Sequence, residues 1–245
     1  MANAKISALT DNTTPAYGDM VPIVNVDGAD ATQRTSLGLL QNWVTVDDAW
    51  AYASATTITV PSGAASIYSV GDKVKFTQTT VKYFYVVGVA DTVLTVTGGS
   101  AYTVANAAIS VIAFSKSVSP VGFPKQFSLT APTWTTTGAA FTNQPVNSSA
   151  VFVINGRSIR VFGTAQCHAT SGGTGHFIAT FTSGQLPAAD TTYKGSGACL
   201  NISTIVKTGF CYINASNVLY IFAHDGTELA TNSEYFTYST TWIIP

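Results

Sequence analysis

The side chains that could carry chemistry gather in the last third of the chain. Cys167-His168, His176, Cys199, Cys211 and His224 are residue types that ligate transition metals. Structural zinc sites draw their ligands from close pairs such as C-x2-C or H-x3-H. The one close pair here is Cys167-His168, and neighbours on a strand point to opposite faces. The spacing therefore argues against a metal site, and nothing else in the chain asks for a cofactor. Three cysteines do not make a disulfide framework. Their surroundings, T-A-Q-C-H-A-T, S-G-A-C-L-N-I and T-G-F-C-Y-I-N, read as strand, where a free Cys behaves as a small apolar side chain.

Nucleophilic catalysis needs a Ser or Cys beside a base that a third group orients. No G-x-S-x-G elbow occurs. Ser171-Gly172-Gly173-Thr174-Gly175-His176 is glycine-rich, but it ends in His and opens a strand. A phosphate cradle would end in Gly-Lys-Ser/Thr and open a helix. Asp225 with Glu228 or Glu234 could form the carboxylate pair of a glycoside hydrolase, yet Asp225-Gly226 is already explained as a hairpin turn. The residues read as those of a protein that is not an enzyme. Aromatic side chains remain: Trp134, Tyr193, Tyr212, Tyr235 and Tyr238 could stack on sugar rings if their faces are exposed. Trp134, Tyr193, Tyr235 and Tyr238 are the candidate glycan contacts, against a background in which most aromatics of a β domain are core.

Composition sets the class. Hydrophobic residues make up 46% of the chain, too many for intrinsic disorder. Charged residues make up 9%, against roughly 25% in ordinary soluble domains. Thr, Ser, Asn, Gly and Ala must cover the surface, and a surface this neutral is expected to be buried against sister subunits or neighbours. The net charge is −1 and the basic residues are scattered, so no stripe could neutralise phosphates and nucleic acid is excluded as a partner. No apolar run approaches the roughly 20 residues of a membrane-spanning helix. The start, MANAKISALTDNTT, lacks the basic-then-apolar order of a signal peptide. Four Asn-x-Ser/Thr triplets (Asn12, Asn147, Asn201, Asn214) would matter only in a secretory pathway.

The elements that must position these side chains are strands. Thr supplies roughly one residue in seven, with Val, Ile, Tyr and Phe filling most other ordered positions. Residues 1–49 read as an N-terminal segment: a polar leader, a strand over residues 20–26, an Asp27-Gly28 turn, and a short helix from Thr35 or Ser36 to Trp43. One strand and one helix cannot bury enough to fold alone, so this segment should dock on something else. Residues 50–115 read as a small β-barrel-like domain of five strands, with alternation in Lys73-Val74-Lys75-Phe76 and from Val81 to Val89. Residues 116–132, with Pro120, Pro124 and Pro132, read as a linker or crossing segment. Residues 133–245 read as a C-terminal β-sandwich of seven or more strands, in which Asn155-Gly156 is the strongest hairpin signal. The expected fold class is all-β.

The first 45 residues resemble the start of bacteriophage virion proteins of the fibre and minor structural kind. The residues that carry the likeness are Lys5-Ile6-Ser7-Ala8-Leu9-Thr10, Thr13-Thr14-Pro15, Asp19-Met20-Val21-Pro22-Ile23-Val24-Asn25 and Thr32–Leu40. Asn25 stands where that family more usually has Asp. Gly71–Thr79 with Lys82–Val87 is similar to a module of such proteins, and the last domain is similar in outline to their C-terminal β domains. The resemblance implies a homotrimer in the virion, of head-fibre, decoration or short tail-fibre type. Its N-terminus would attach to capsid or tail proteins through Ile6, Leu9, Pro15, Pro22, Ile23, Val24, Leu37 and Leu40, and its C-terminal domain would project. The alternative is a receptor-binding adhesin that recognises host surface glycans, with the same architecture and a different task.

Overall fold

A computed structural model of the chain describes residues 20–24, 32–36, 40–136, 145–167, 177–187, 195–201, 208–214, 216–223 and 234–244. Within them the protein is nearly all β, with curled sheets. The N-terminal strand β1 (Met20–Val24) pairs antiparallel with β2 (Thr32–Ser36), Met20 opposite Ser36 and Val24 opposite Thr32. Pro22 is tolerated because both strands of a two-stranded ribbon have a free edge. Thr35 and Ser36, expected to cap a helix, instead belong to the ladder, where β-branched and hydroxyl side chains suit a strand. Of the anchoring candidates, Pro22, Ile23 and Val24 lie on β1 and Leu40 is exposed. Ile6, Leu9, Pro15 and Leu37 lie outside the described residues.

The first large sheet has seven strands: β3 (Val44–Val46), β4 (Ala51–Ser54), β5 (Thr57–Thr59), β6 (Lys73–Gln78), β7 (Thr80–Ala90), β8 (Val93–Thr97) and β9 (Ser110–Ser115). A single turn of helix, α1 (Ala64–Ile67), follows β5. The spatial order is β3-β9-β6-β7-β8-β5-β4. Laid flat, such a sheet would hold its edges about 29 Å apart. Its two edge strands, however, are joined by the short run between Val46 and Ala51, which spans about 18 Å at most. The sheet must curl into a half-barrel, and its concave side is filled by Trp50, Ile58, Phe76, Phe84, Leu94 and Val96 among others.

The second sheet obeys the same constraint. Its nine strands are β10 (Phe127–Leu129), β11 (Thr133–Thr136), β12 (Val146–Asn155), β13 (Ser158–Gln166), β14 (Phe177–Thr180), β15 (Gly195–Asn201), β16 (Thr208–Ile213), β17 (Val218–Ala223) and β18 (Tyr235–Ile243). They run in the order β10-β12-β13-β18-β15-β16-β17-β14-β11. The outermost strands, β10 and β11, are separated only by residues 130–132, a reach of about 14 Å against about 38 Å across a flat sheet. One continuous sheet therefore folds over on itself. Its two layers meet where Phe177 of β14 stacks on Phe236 of β18 at 4.9 Å and Trp134 of β11 packs edge-on against Phe236 and Tyr238. The two-layered core expected of a sandwich is thus made by a single sheet.

The segment expected as a linker is packed structure. Trp43 Nε1 donates to the carbonyl of Val121 at 2.8 Å and the Val121 amide donates to Gln41. Phe123 lies edge-on to Tyr85, Tyr83 and Phe127, with centroids at 4.9, 5.9 and 5.6 Å. The second sheet recruits Phe127–Leu129 from this segment and the first recruits Val44–Val46 from ahead of residue 50.

Two glycines let the sheets touch. Gly71, at φ +94°, sits where a methyl group would overlap the backbone of Gly156 at the tip of the β12–β13 hairpin. Gly99, at φ +62°, presses in the same way on the carbonyl of Ser128, which accepts bonds from the Ser100 amide and hydroxyl at 2.8 and 2.9 Å. Gly71→Ala is expected to cost about 2–4 kcal/mol, combining left-handed backbone strain with overpacking. Gly156→Ala, at φ +55° but with open space beside it, should cost about 1 kcal/mol from strain alone. Urea unfolding of the two variants checks this; equal losses would contradict the close sheet-to-sheet contact.

Candidate functional site

Burial governs the two thiols on β15 and β16. Cys167, Cys199 and Cys211 are buried, and neither Cys199 nor Cys211 forms a disulfide. Cys211 Sγ donates to the carbonyls of Ser239 and Ala198 at 3.3 and 3.6 Å, and Cys199 Sγ to those of Phe222 and Phe210 at 3.5 and 3.8 Å. Gly209 leaves the room that the Cys199 sulfur fills. Burial pushes the Cys199 thiol up to about 12, helped by the neighbouring Cys211 and opposed by the Phe222 backbone. Burial pushes Cys211 up to about 11 against its bond to Ser239. Among the described residues no three His, Cys, Asp or Glu side chains come together as a metal site. His168, His176, His224, Asp225 and Glu228 lie outside the described residues.

The expected glycan-contacting aromatics divide. Trp134 and Tyr238 are core residues, 5% and 2% exposed, and this corrects the expectation that their ring faces meet a ligand. Trp134 is enclosed by Phe177, Phe236 and Tyr238. Tyr238 lies over Gly163, where a side chain would strike its ring, and its hydroxyl reaches the Ser149 carbonyl at 3.4 Å. Along β18 the inward positions are Phe236, Tyr238, Thr240 and Trp242, so period-2 geometry turns Tyr235 outward, 40% exposed. Tyr193 lies outside the described residues.

A different set of aromatics forms the exposed face. Strand pairing lines up outward positions in rows across the second sheet. One row runs Val151, Phe162, Ser239, Ala198, Phe210, Phe222; beside it Val153, Arg160 and Thr241 align across β12, β13 and β18, and Tyr212 faces Tyr220 across β16 and β17. On β16 and β17 the rings stack in parallel: Phe210 on Phe222 at 4.9 Å and Tyr212 on Tyr220 at 4.8 Å, inclined by 13° and 14°. These separations match the spacing between neighbouring strands, so the rings stand upright on the sheet like adjacent books. Phe210 is 48% exposed. After Thr208, T-G-F-C-Y-I and V-L-Y-I-F-A carry no strongly polar residue on either face, so the sequence has no polar alternation to say which rings turn outward.

Beside this stack the sheet is hollowed. Thr237, Ser239 and Ala198 are short, while Phe162 and Arg160 rise on one side and Leu200 and Thr208 on the other, leaving a groove of about 710 Å³. Arg160 Nε donates to the Ser239 hydroxyl at 2.9 Å, and its guanidinium lies 5.4 Å from the centroid of the Phe162 ring. The side chain is held from two directions. Arg160 is the one charged side chain at the outward positions of the described strands in this sheet. The arrangement can offer hydrogen bonds, an aromatic surface and a single positive charge, which is the equipment of a binding face.

The buried thiols give a pH signature. Both are protonated in the fold until pH 11–12, whereas in the unfolded chain they ionise near their ordinary 9.0. Above pH 9 proton release favours the unfolded chain, so stability is expected to fall between about pH 9 and 11. Urea midpoints across that range check it, together with a thiol reagent at pH 8 that labels Cys199 and Cys211 only after unfolding. Rapid labelling of the native protein would contradict the assignment. No protein-family model, no curated protein and no solved structure matches the chain.

Proposed function

We propose that the chain is a non-catalytic structural subunit of a bacteriophage virion, of fibre or decoration type, working as a homotrimer. In this reading the N-terminal segment attaches to capsid or tail proteins and the second sheet projects from the particle. The observation that carries it is surface chemistry: with 9% charged residues overall and one charge among the described outward strand positions of the larger sheet, the chain has the neutral exterior expected of a subunit whose neighbours cover part of it. The β1–β2 ribbon adds support, because an isolated two-stranded hairpin is marginal in water and is stabilised by docking. The likeness of residues 1–45 to virion proteins supplies the identity of the partner. No cofactor, nucleic acid or membrane enters the reading.

Size-exclusion chromatography with light scattering tests it. The expected mass is three times the 25.6 kDa of the chain; a stable monomer at micromolar concentration would overturn the trimer. Deleting residues 1–40, which stops short of buried Trp43 and of β3, should leave the remaining β structure folded while abolishing incorporation into particles, and unimpaired incorporation would overturn the anchor.

A further inference from the structure

We infer that the groove on the outward face of β13, β18, β15 and β16 binds an oligosaccharide carrying a carboxylate-bearing sugar, with Arg160 as its anion contact. The groove has the mixed lining of a small-ligand site: apolar walls and a few placed polar groups. Phe162 and Leu200 supply the walls, and Thr164, Thr237 and Ser239 supply hydroxyls that both donate and accept. A pyranose presents an apolar face of weakly positive C–H bonds, which suits the negative face of an aromatic ring. Phe210, paired to Ala198 in the groove floor, extends the aromatic surface past the groove and gives a chain of several sugars a continuous track.

Arg160 decides between occupants. Its Nε is engaged by Ser239 and its plane by Phe162, and no carboxylate stands at the described outward strand positions of this sheet to supply a counter-charge. Guanidinium donors in this fork geometry match a carboxylate. A second copy of this face would bring no acid at the described outward strand positions, so packing the face on itself would bury Arg160 without a counter-charge. One arginine is too little positive charge for a nucleic acid. A sugar carboxylate satisfies the guanidinium while the hydroxyl rows take the remaining polar groups of the glycan.

The test uses the full chain on immobilised oligosaccharides: alginate and polysialic acid oligomers as acidic probes, cellulose and chitin oligomers as neutral ones. The expected result is binding to an acidic oligomer, weakened roughly tenfold or more by Arg160→Gln and by Phe162→Ala. Thermal midpoints verify folding; Arg160 is exposed, so its variant remains informative if Phe162→Ala is destabilised. Absence of binding to both acidic oligomers, binding indifferent to Arg160→Gln, or equal binding to neutral oligomers would each overturn the inference. So would a loss of oligomeric mass in either variant, which would make this face a contact between copies. The trimer and the glycan site fail separately, since light scattering reports the first and the array the second.

Discussion

Burial of the β6–β7 hairpin on both of its faces is the constraint from which the rest of the architecture follows. Val74, Phe76, Phe84 and Val86 point into the first half-barrel, while Tyr85 points the other way and is a member of the second core. Tyr85 meets Phe123, Phe127 and Phe152 at 4.9, 5.4 and 6.2 Å. A strand pair buried on both faces cannot belong to one sheet alone. The crossing segment, the Gly71–Gly156 contact and the bond from Thr97 Oγ1 to the Gln185 carbonyl at 2.7 Å close the seam around it. The outward face with its groove is thereby held at a fixed place relative to the first half-barrel.

This arrangement has an electrostatic cost that the sequence accepts. Lys73 and Lys75 share the covered face of β6: Lys73 Nζ lies 5.7 Å from the Tyr85 ring and Lys75 Nζ lies 4.4 Å from Trp43. Burial draws both ammonium groups below the ordinary lysine range, with Asp72 opposing the effect at Lys73. Burial likewise pushes the Asp72 carboxyl up, against the Ser69 amide and the nearby Lys116 and Lys73. Aromatic faces and stem burial replace part of the lost hydration.

Much of this was legible in the strands and little of it in the faces. Alternation in Lys73-Val74-Lys75-Phe76 marks a strand, and the strand is there, but it does not show that Trp43, from outside the alternating segment, lies over its lysine side. Pro120 and Pro124 signal a break in regular structure, and that signal is the same for a free linker and for a packed crossing. Trp134 and Tyr238 were as visible as Phe210 in the sequence; what separates them is the curl of a single sheet, which encloses one side of each strand and leaves the other open. The groove depends on short residues at Ser239 and Ala198 being adjacent across β18 and β15, strands far apart in the chain, and no local pattern encodes that register.

The central physical claim is that the two curled sheets are one cooperative body. Differential scanning calorimetry of the full chain tests it most directly. A single transition whose calorimetric and van't Hoff enthalpies agree is expected. Two separable transitions, one for each sheet, would contradict it.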